Sequence, residues 1–342
     1  MIERHHRWLG LALRVQCRIT TASFTGFCAL AIMGLRFDFG VQVAVLLAGI
    51  VLVGFPHGAF DHLVARPVLL PWLGSFWWLH FLFGYLGLAG IVWLGWMFAP
   101  AATLALFLAG SVLHFGLGDT EDGLLPDRVP RLLGLVSYGA LPILLPIALH
   151  PAEAAPVLAA MAGWDPPVMQ RVLSGAIWLV PAWAVAFGWI MSVAWREKQD
   201  ISERLATAAG FMLLPPMLSF GLYFGLGHSV RHVLRLGAWR DAAQPKVAAR
   251  WAAHVMLPAS AVCAAGLVGL ACLNDDTTRG LLAPAFRIIS ALTMPHMIVT
   301  AWLESALRRP PRVSPHSRKT QTLLKPALPP SVVEDEPDPK EQ

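Results

Sequence analysis

His228 and His232 stand four residues apart in FGLYFGLGHSVRH, a segment otherwise built mainly from apolar residues and glycine. On a helix that spacing puts both imidazoles on one face, where they can approach a single centre. Three further stretches carry ionisable groups into apolar surroundings. GFPHGAFDH places His57 and Asp61 four apart, with His62 beside them. SVLHFGLGDTED closes an apolar run on His114 and holds Asp119 beyond it. MPHMIVTAWLE sets His296 inside the last apolar run, with Glu304 near its end. Polar groups buried in such helices are costly, so each needs a partner or a task. Lone histidines near helix ends are commonly interfacial or satisfied core donors, and His80, His150 and His254 read that way. His5, His6 and His316 are terminal. A pair on one face needs a shared reason, and metal binding is the commonest, because neutral imidazole is a good ligand.

Imidazole ligation suits zinc, copper and iron alike, so the ligand type leaves the metal open. Cys17, Cys28, Cys263 and Cys272 form no CxxC pair and lie outside the histidine motifs. They read as small apolar helix residues, which excludes a disulfide framework and a cysteine-ligated zinc site. Asp61 either supports a ligand or caps and pairs with Arg66. The glycines of GFPHGAF, FGLG and GLGHS let backbones approach closely, either around a flat ligand or as ordinary membrane-helix packing.

The elements that position these residues are membrane helices. The chain of 342 residues is 56% hydrophobic and 14% charged, with mean hydropathy +0.59. Soluble domains carry about a quarter charged residues. Apolar runs fall near 20–35, 41–63, 76–98, 101–118, 132–149, 172–195, 206–235, 252–273 and 282–307. Long runs with few charges predict an all-α, polytopic helical bundle, and no strand alternation suggests a barrel. The net charge of +5 does not imply nucleic acid, because Lys and Arg sit between the runs and at the ends. The basic N-terminus is too interrupted for a secretory leader. Residues 1–18 are expected as a basic cytoplasmic segment, 19–307 as the membrane domain, and 308–342 as a proline-rich disordered tail. Basic residues at both ends favour an even number of passes. The run 132–149, with Pro142 and Pro146, is the expected re-entrant dip, leaving about eight spans. REKQDISER then lies outside and 235–250 inside.

Together PHGAFDH, HFGLGD, GHSVRH and PHM resemble the Brp/Blh family, membrane β-carotene 15,15′-dioxygenases that make retinal, over about 54–302. The resemblance implies Fe(2+) held by His57, His114, His228 and His232, and cleavage of a carotenoid dissolved in membrane lipid by O2. Localisation to the cell (inner) membrane and a retinal-binding rhodopsin as product acceptor follow from the same resemblance. Asp61 and Asp119 are then expected as partners of ligand N–H groups; His62, Arg231 and His296 belong to the motifs without a ligand role, with His296 expected to order the site from the last helix. Phe55, Phe60, Phe115, Tyr223 and Phe224 are the expected walls of a substrate tunnel. Gly227 departs from the pattern, where an aromatic residue is expected. Two other readings stand: a carotenoid or retinal carrier without catalysis, and a histidine-rich hydroxylase or desaturase. The latter needs more HxxxH and HxxHH boxes than HSVRH supplies.

Overall fold

Backbone groups in an apolar environment must hydrogen-bond within their own segment, which helices achieve. The computed structural model describes residues 7–120, 125–241, 244–272 and 279–307, and among them no strand occurs. The expected tail 308–342 and His5, His6 and His316 lie outside these residues. The described residues up to Leu303 form one compact unit.

Fourteen α-helices follow in chain order: α1 Arg7–Ile32, α2 Phe39–Gly49, α3 Asp61–Leu73, α4 Trp77–Phe98, α5 Pro100–Asp119, α6 Arg131–Leu149 and α7 Pro151–Ala162. Then come α8 Pro166–Ser174, α9 Val180–Arg196, α10 Ser202–Leu213, α11 Pro216–Leu222, α12 Ser229–Arg240, α13 Pro245–Cys272 and α14 Arg279–Leu307. Seven runs are long and apolar enough to cross a membrane, by length and composition. One of them, Phe39–Phe98, doubles back at Gly74, whose φ of 56° suits glycine. The return brings Tyr85 of α4 beside Asp61 of α3. That run therefore holds two passes, which with the six others makes eight.

The re-entrant element is not the one expected. The helix α6 runs unbroken through Pro142 and Pro146 and packs antiparallel along α5. Gly116 faces the Leu135 carbonyl and Gly139 faces the Val112 carbonyl, so closely that neither glycine has room for a Cβ. The stretch 206–235, expected as one helix, folds in two at Leu214–Pro215 instead. Pro215 lacks an N–H, and Leu214 before it is extended, as a residue preceding proline prefers (φ −100°, ψ 152°). Glu203 in the first turn of α10 consequently meets Arg231 of α12 at 2.8 Å. With 12 residues, α10 is about 18 Å long, short of the ~30 Å hydrocarbon core. REKQDISER and 235–250 thus lie on the same face of the bundle, correcting the expectation that they lie on opposite faces.

The site is positioned by two parallel elements in close contact. In α2 and α11, Leu46 meets Gly221 and Gly49 meets both Gly221 and Gly225. Each then passes into a π turn, Ile50–Gly54 and Tyr223–His228. The first continues through a 3₁₀ turn, Pro56–Phe60, that presents His57. An extra residue per turn re-aims the side chains that follow, a device frequent at functional sites.

Candidate metal centre

His57 comes from the 3₁₀ turn after α2, His114 from α5, His228 from the end of the second π turn and His232 from the first turn of α12. Ligating nitrogens of His57, His114 and His228 all lie within 4.8 Å of one another. The Nε2 atoms of His228 and His114 are 3.2 Å apart. The His232 ring centroid is 5.4 Å from that of His57. All four histidines expected from the sequence therefore meet, although they are separated by up to 175 residues (232 − 57).

A fifth imidazole joins them. The His296 ring, from α14, lies 4.9 Å from His57, 5.2 Å from His114 and 5.9 Å from His232, centroid to centroid. Its Nδ1–H donates to both Asp61 oxygens, at 2.7 and 2.9 Å. The PHM motif contained this residue, but nothing in its spacing indicated that α14 would bring it to the cluster.

Asp61 was expected to serve His57, yet it serves His296. Being four apart puts His57 and Asp61 on one face only if the helix is regular, and the 3₁₀ turn over Pro56–Phe60 breaks that relation. Among the described residues no hydrogen bond joins Asp119 to a histidine. It accepts from the Tyr223 hydroxyl at 2.8 Å and from Arg231, which also donates to Glu203. Gln16 of α1 extends this buried network to Glu203, Thr20 and the Leu226 carbonyl. Sequence reasoning gave Arg231 no role, because its carboxylate partners are remote in the chain.

A cavity of about 460 Å³ opens against the cluster. Phe55, Phe115 and Phe224 line it, along with His57, His114 and His296. Two expected wall residues do not. Phe60 is fully buried against Trp251 on the far side of its turn, and Tyr223 turns to Asp119. Phe115 stands edge-on to His228 at 4.8 Å, while Phe224 stacks on it at 6.1 Å, so both also fix that imidazole. Gly227 faces Thr20 and Glu203 instead of the cavity, so the departure there leaves the wall unaffected.

The other histidines have ordinary explanations. His62 is exposed and donates to the Ala59 carbonyl; His80 and His254 donate to carbonyls one turn back. His150 donates to Met212. The cluster differs. Both His57 nitrogens and Nε2 of His296 are buried without a hydrogen-bond partner, although the Val53 and Gly54 carbonyls face the His57 ring. Such orphaned atoms cost about 1–3 kcal/mol each if left unmet. A divalent ion bound through imidazole lone pairs would meet them, so the residues fit a nitrogen-ligated metal.

Residues 48–304 match the family described as beta-carotene 15,15'-dioxygenase. The chain belongs to that family. Among relatives, a probable beta-carotene 15,15'-dioxygenase Blh of Halobacterium salinarum is 29% identical over 316 residues, covering 80% of this chain and 88% of the relative. A beta-carotene 15,15'-dioxygenase from an uncultured marine bacterium, 66A03, is 25% identical over 266 residues, covering 74% and 90%. No solved structure matches. For this family member the match spans every histidine of the cluster.

Proposed function

We propose that this chain cleaves the central double bond of β-carotene with O2 to give two retinal molecules, at an iron(II) ion held by His57, His114, His228 and His232. One observation carries the reading: ring nitrogens of His57, His114 and His228, from separate elements, converge within 4.8 Å, and His57 and His114 also line an apolar cavity. Family membership favours a carotenoid as what that cavity holds.

When bound, iron(II) supplies the electrons that allow O2 to react with a double bond. One C=C is lost and two C=O groups form, using both oxygen atoms, so no further reductant is required. The protein's own share is binding, orientation and exclusion of water. A polyene offers no hydrogen-bond handle, so shape must choose which double bond meets the cluster. Phe55, Phe115 and Phe224 provide that shape beside His57, His114 and His296. Hydroxyls along the wall are occupied: Ser111 donates to Phe107, Thr293 to Ile289 and Tyr85 to Leu292. The lining therefore presents few free donors to the hydrocarbon.

The proposed setting is the cell membrane, where the substrate is dissolved in lipid and the product passes to a retinal-binding rhodopsin. A hydroxylase or desaturase is disfavoured, because the cluster gathers five imidazoles, fewer than a histidine-box di-metal centre uses, and HSVRH is the one box of that kind. Expression in cells that accumulate β-carotene tests the activity. Loss of colour with retinal in the extract is expected, and full colour with the protein inserted at normal level would refute it.

A further inference from the structure

Four histidines were expected at this centre, and the structure supplies five. We propose that His296 is a fifth imidazole donor to the same metal ion, with Asp61 fixing the tautomer that lets it serve; this rests on the metal reading above. Ring spacing does not separate His296 from the others. Its centroid distances of 4.9–5.9 Å match the 5.0–5.9 Å found among His57, His114, His228 and His232. The nitrogens of His57, His114 and His228 already lie within 4.8 Å of one another. His232 and His296 both lie outside that inner trio, with ring centroids 5.4 and 4.9 Å from that of His57.

The hydrogen bonding makes the stronger case. An ionised carboxylate can only accept, so Nδ1 of His296 carries the hydrogen, and in the neutral imidazole Nε2 then carries the lone pair. That Nε2 is buried without a partner, on a residue 4% exposed. Its ring neighbours in the cluster are other imidazoles, which present the same need. Metal-bound histidines usually give their second nitrogen to a carboxylate or carbonyl, which orients the ring and raises its basicity. Of the clustered histidines, His296 is the one that the described residues show bonded to a carboxylate. The Tyr85 hydroxyl lies beside Asp61 and donates to Leu292 on α14, which ties the carboxylate to the helix bearing His296. Asp61 then leads from the turn carrying His57 to the last helix. A metal bound there would join the two ends of the catalytic unit.

Metal binding, read apart from turnover, tests this. The purified full chain is stripped with a chelator and titrated anaerobically with Fe(II) against a competing chelator, and X-ray absorption counts the nitrogen donors. His296→Ala should weaken Fe(II) binding at least ~10-fold and lower the donor count by one. Asp61→Asn should weaken it about 10–100-fold, as loss of a carboxylate behind a ligand does. The double variant should bind no more weakly than His296→Ala, because the two act as one unit. Wild-type affinity and donor count in His296→Ala would overturn the proposal. If that variant does not fold, wild-type affinity in the isosteric Asp61→Asn would overturn it equally. His57→Ala is the reference: if it keeps iron, the four-histidine reading itself fails. If it loses iron while His296→Ala does not, the fifth donor alone is wrong.

Discussion

His57 shows why a polar side chain survives in so apolar a helix. Neither of its nitrogens makes a hydrogen bond of good geometry, although the Val53 and Gly54 carbonyls face the ring, and a bound ion would supply the missing partner. Alanine at His57, His114, His228 or His232 should therefore remove iron and retinal formation while the protein still inserts. Iron content and retinal, assayed at matched membrane levels, check this; normal values in any one variant would remove that residue from the set. His62→Ala should keep both, since His62 is exposed and bonded to its own turn. Arg231 tests a different kind of burial. It is 8% exposed between Asp119 and Glu203, so Arg231→Met leaves two half-buried carboxylates without their countercharge. Breaking such a cluster typically costs about 3–5 kcal/mol, whereas replacing all of its members is far milder. Thermal unfolding in detergent should show a large loss for Arg231→Met and partial recovery when Asp119→Asn and Glu203→Gln are added. An Arg231→Met variant as stable as wild type would show that the network contributes nothing.

Elements meet where glycine permits it. The pair α5 and α6 packs so tightly at Gly139 that a methyl group would overlap the Val112 carbonyl, and Val112 is two residues before His114. Gly139→Ala should separate the helices and shift His114, costing about 1–3 kcal/mol as overpacking does. Gly90 of α4 has nothing within 4 Å, so Gly90→Ala should be tolerated or mildly stabilising. Equal melting temperatures and equal cleavage for the two variants would contradict this picture. The irregular turns are as important as the regular helices. A π turn and a 3₁₀ turn re-aim His57, and this made the four-residue spacing to Asp61 a poor guide to contact.

At the scale of the molecule, folding back at Pro215 sets the topology. The start of α10 and α12 share a face with the end of α5, as the Glu203–Arg231–Asp119 network requires. Lys198 and Lys246, both exposed, should then lie on one side of the membrane, the cytoplasmic side by the distribution of basic residues. Single cysteines at these positions, in a background lacking the native ones, should react with an impermeant maleimide from the same side. Labelling from opposite sides would restore 206–235 as one span.

Composition, apolar run length and the lack of strand alternation sufficed to specify an all-α membrane bundle, because hydrocarbon admits only helices and closed barrels. The cost of imidazole in an apolar run drew attention to the motif histidines, but the set of four came from the family resemblance. Which run would fold back was not legible. Pro142 and Pro146 are tolerated within α6, whereas Pro215 follows an extended Leu214 and ends a helix, and sequence alone weighs all three alike. Nor was the pairing of Asp61 with His296 legible, or that of Arg231 with Asp119 and Glu203. These contacts span 235, 112 and 28 residues. Local spacing carries information only along a regular helix; which helices pack together, and therefore which charges meet, is decided by the tertiary fold.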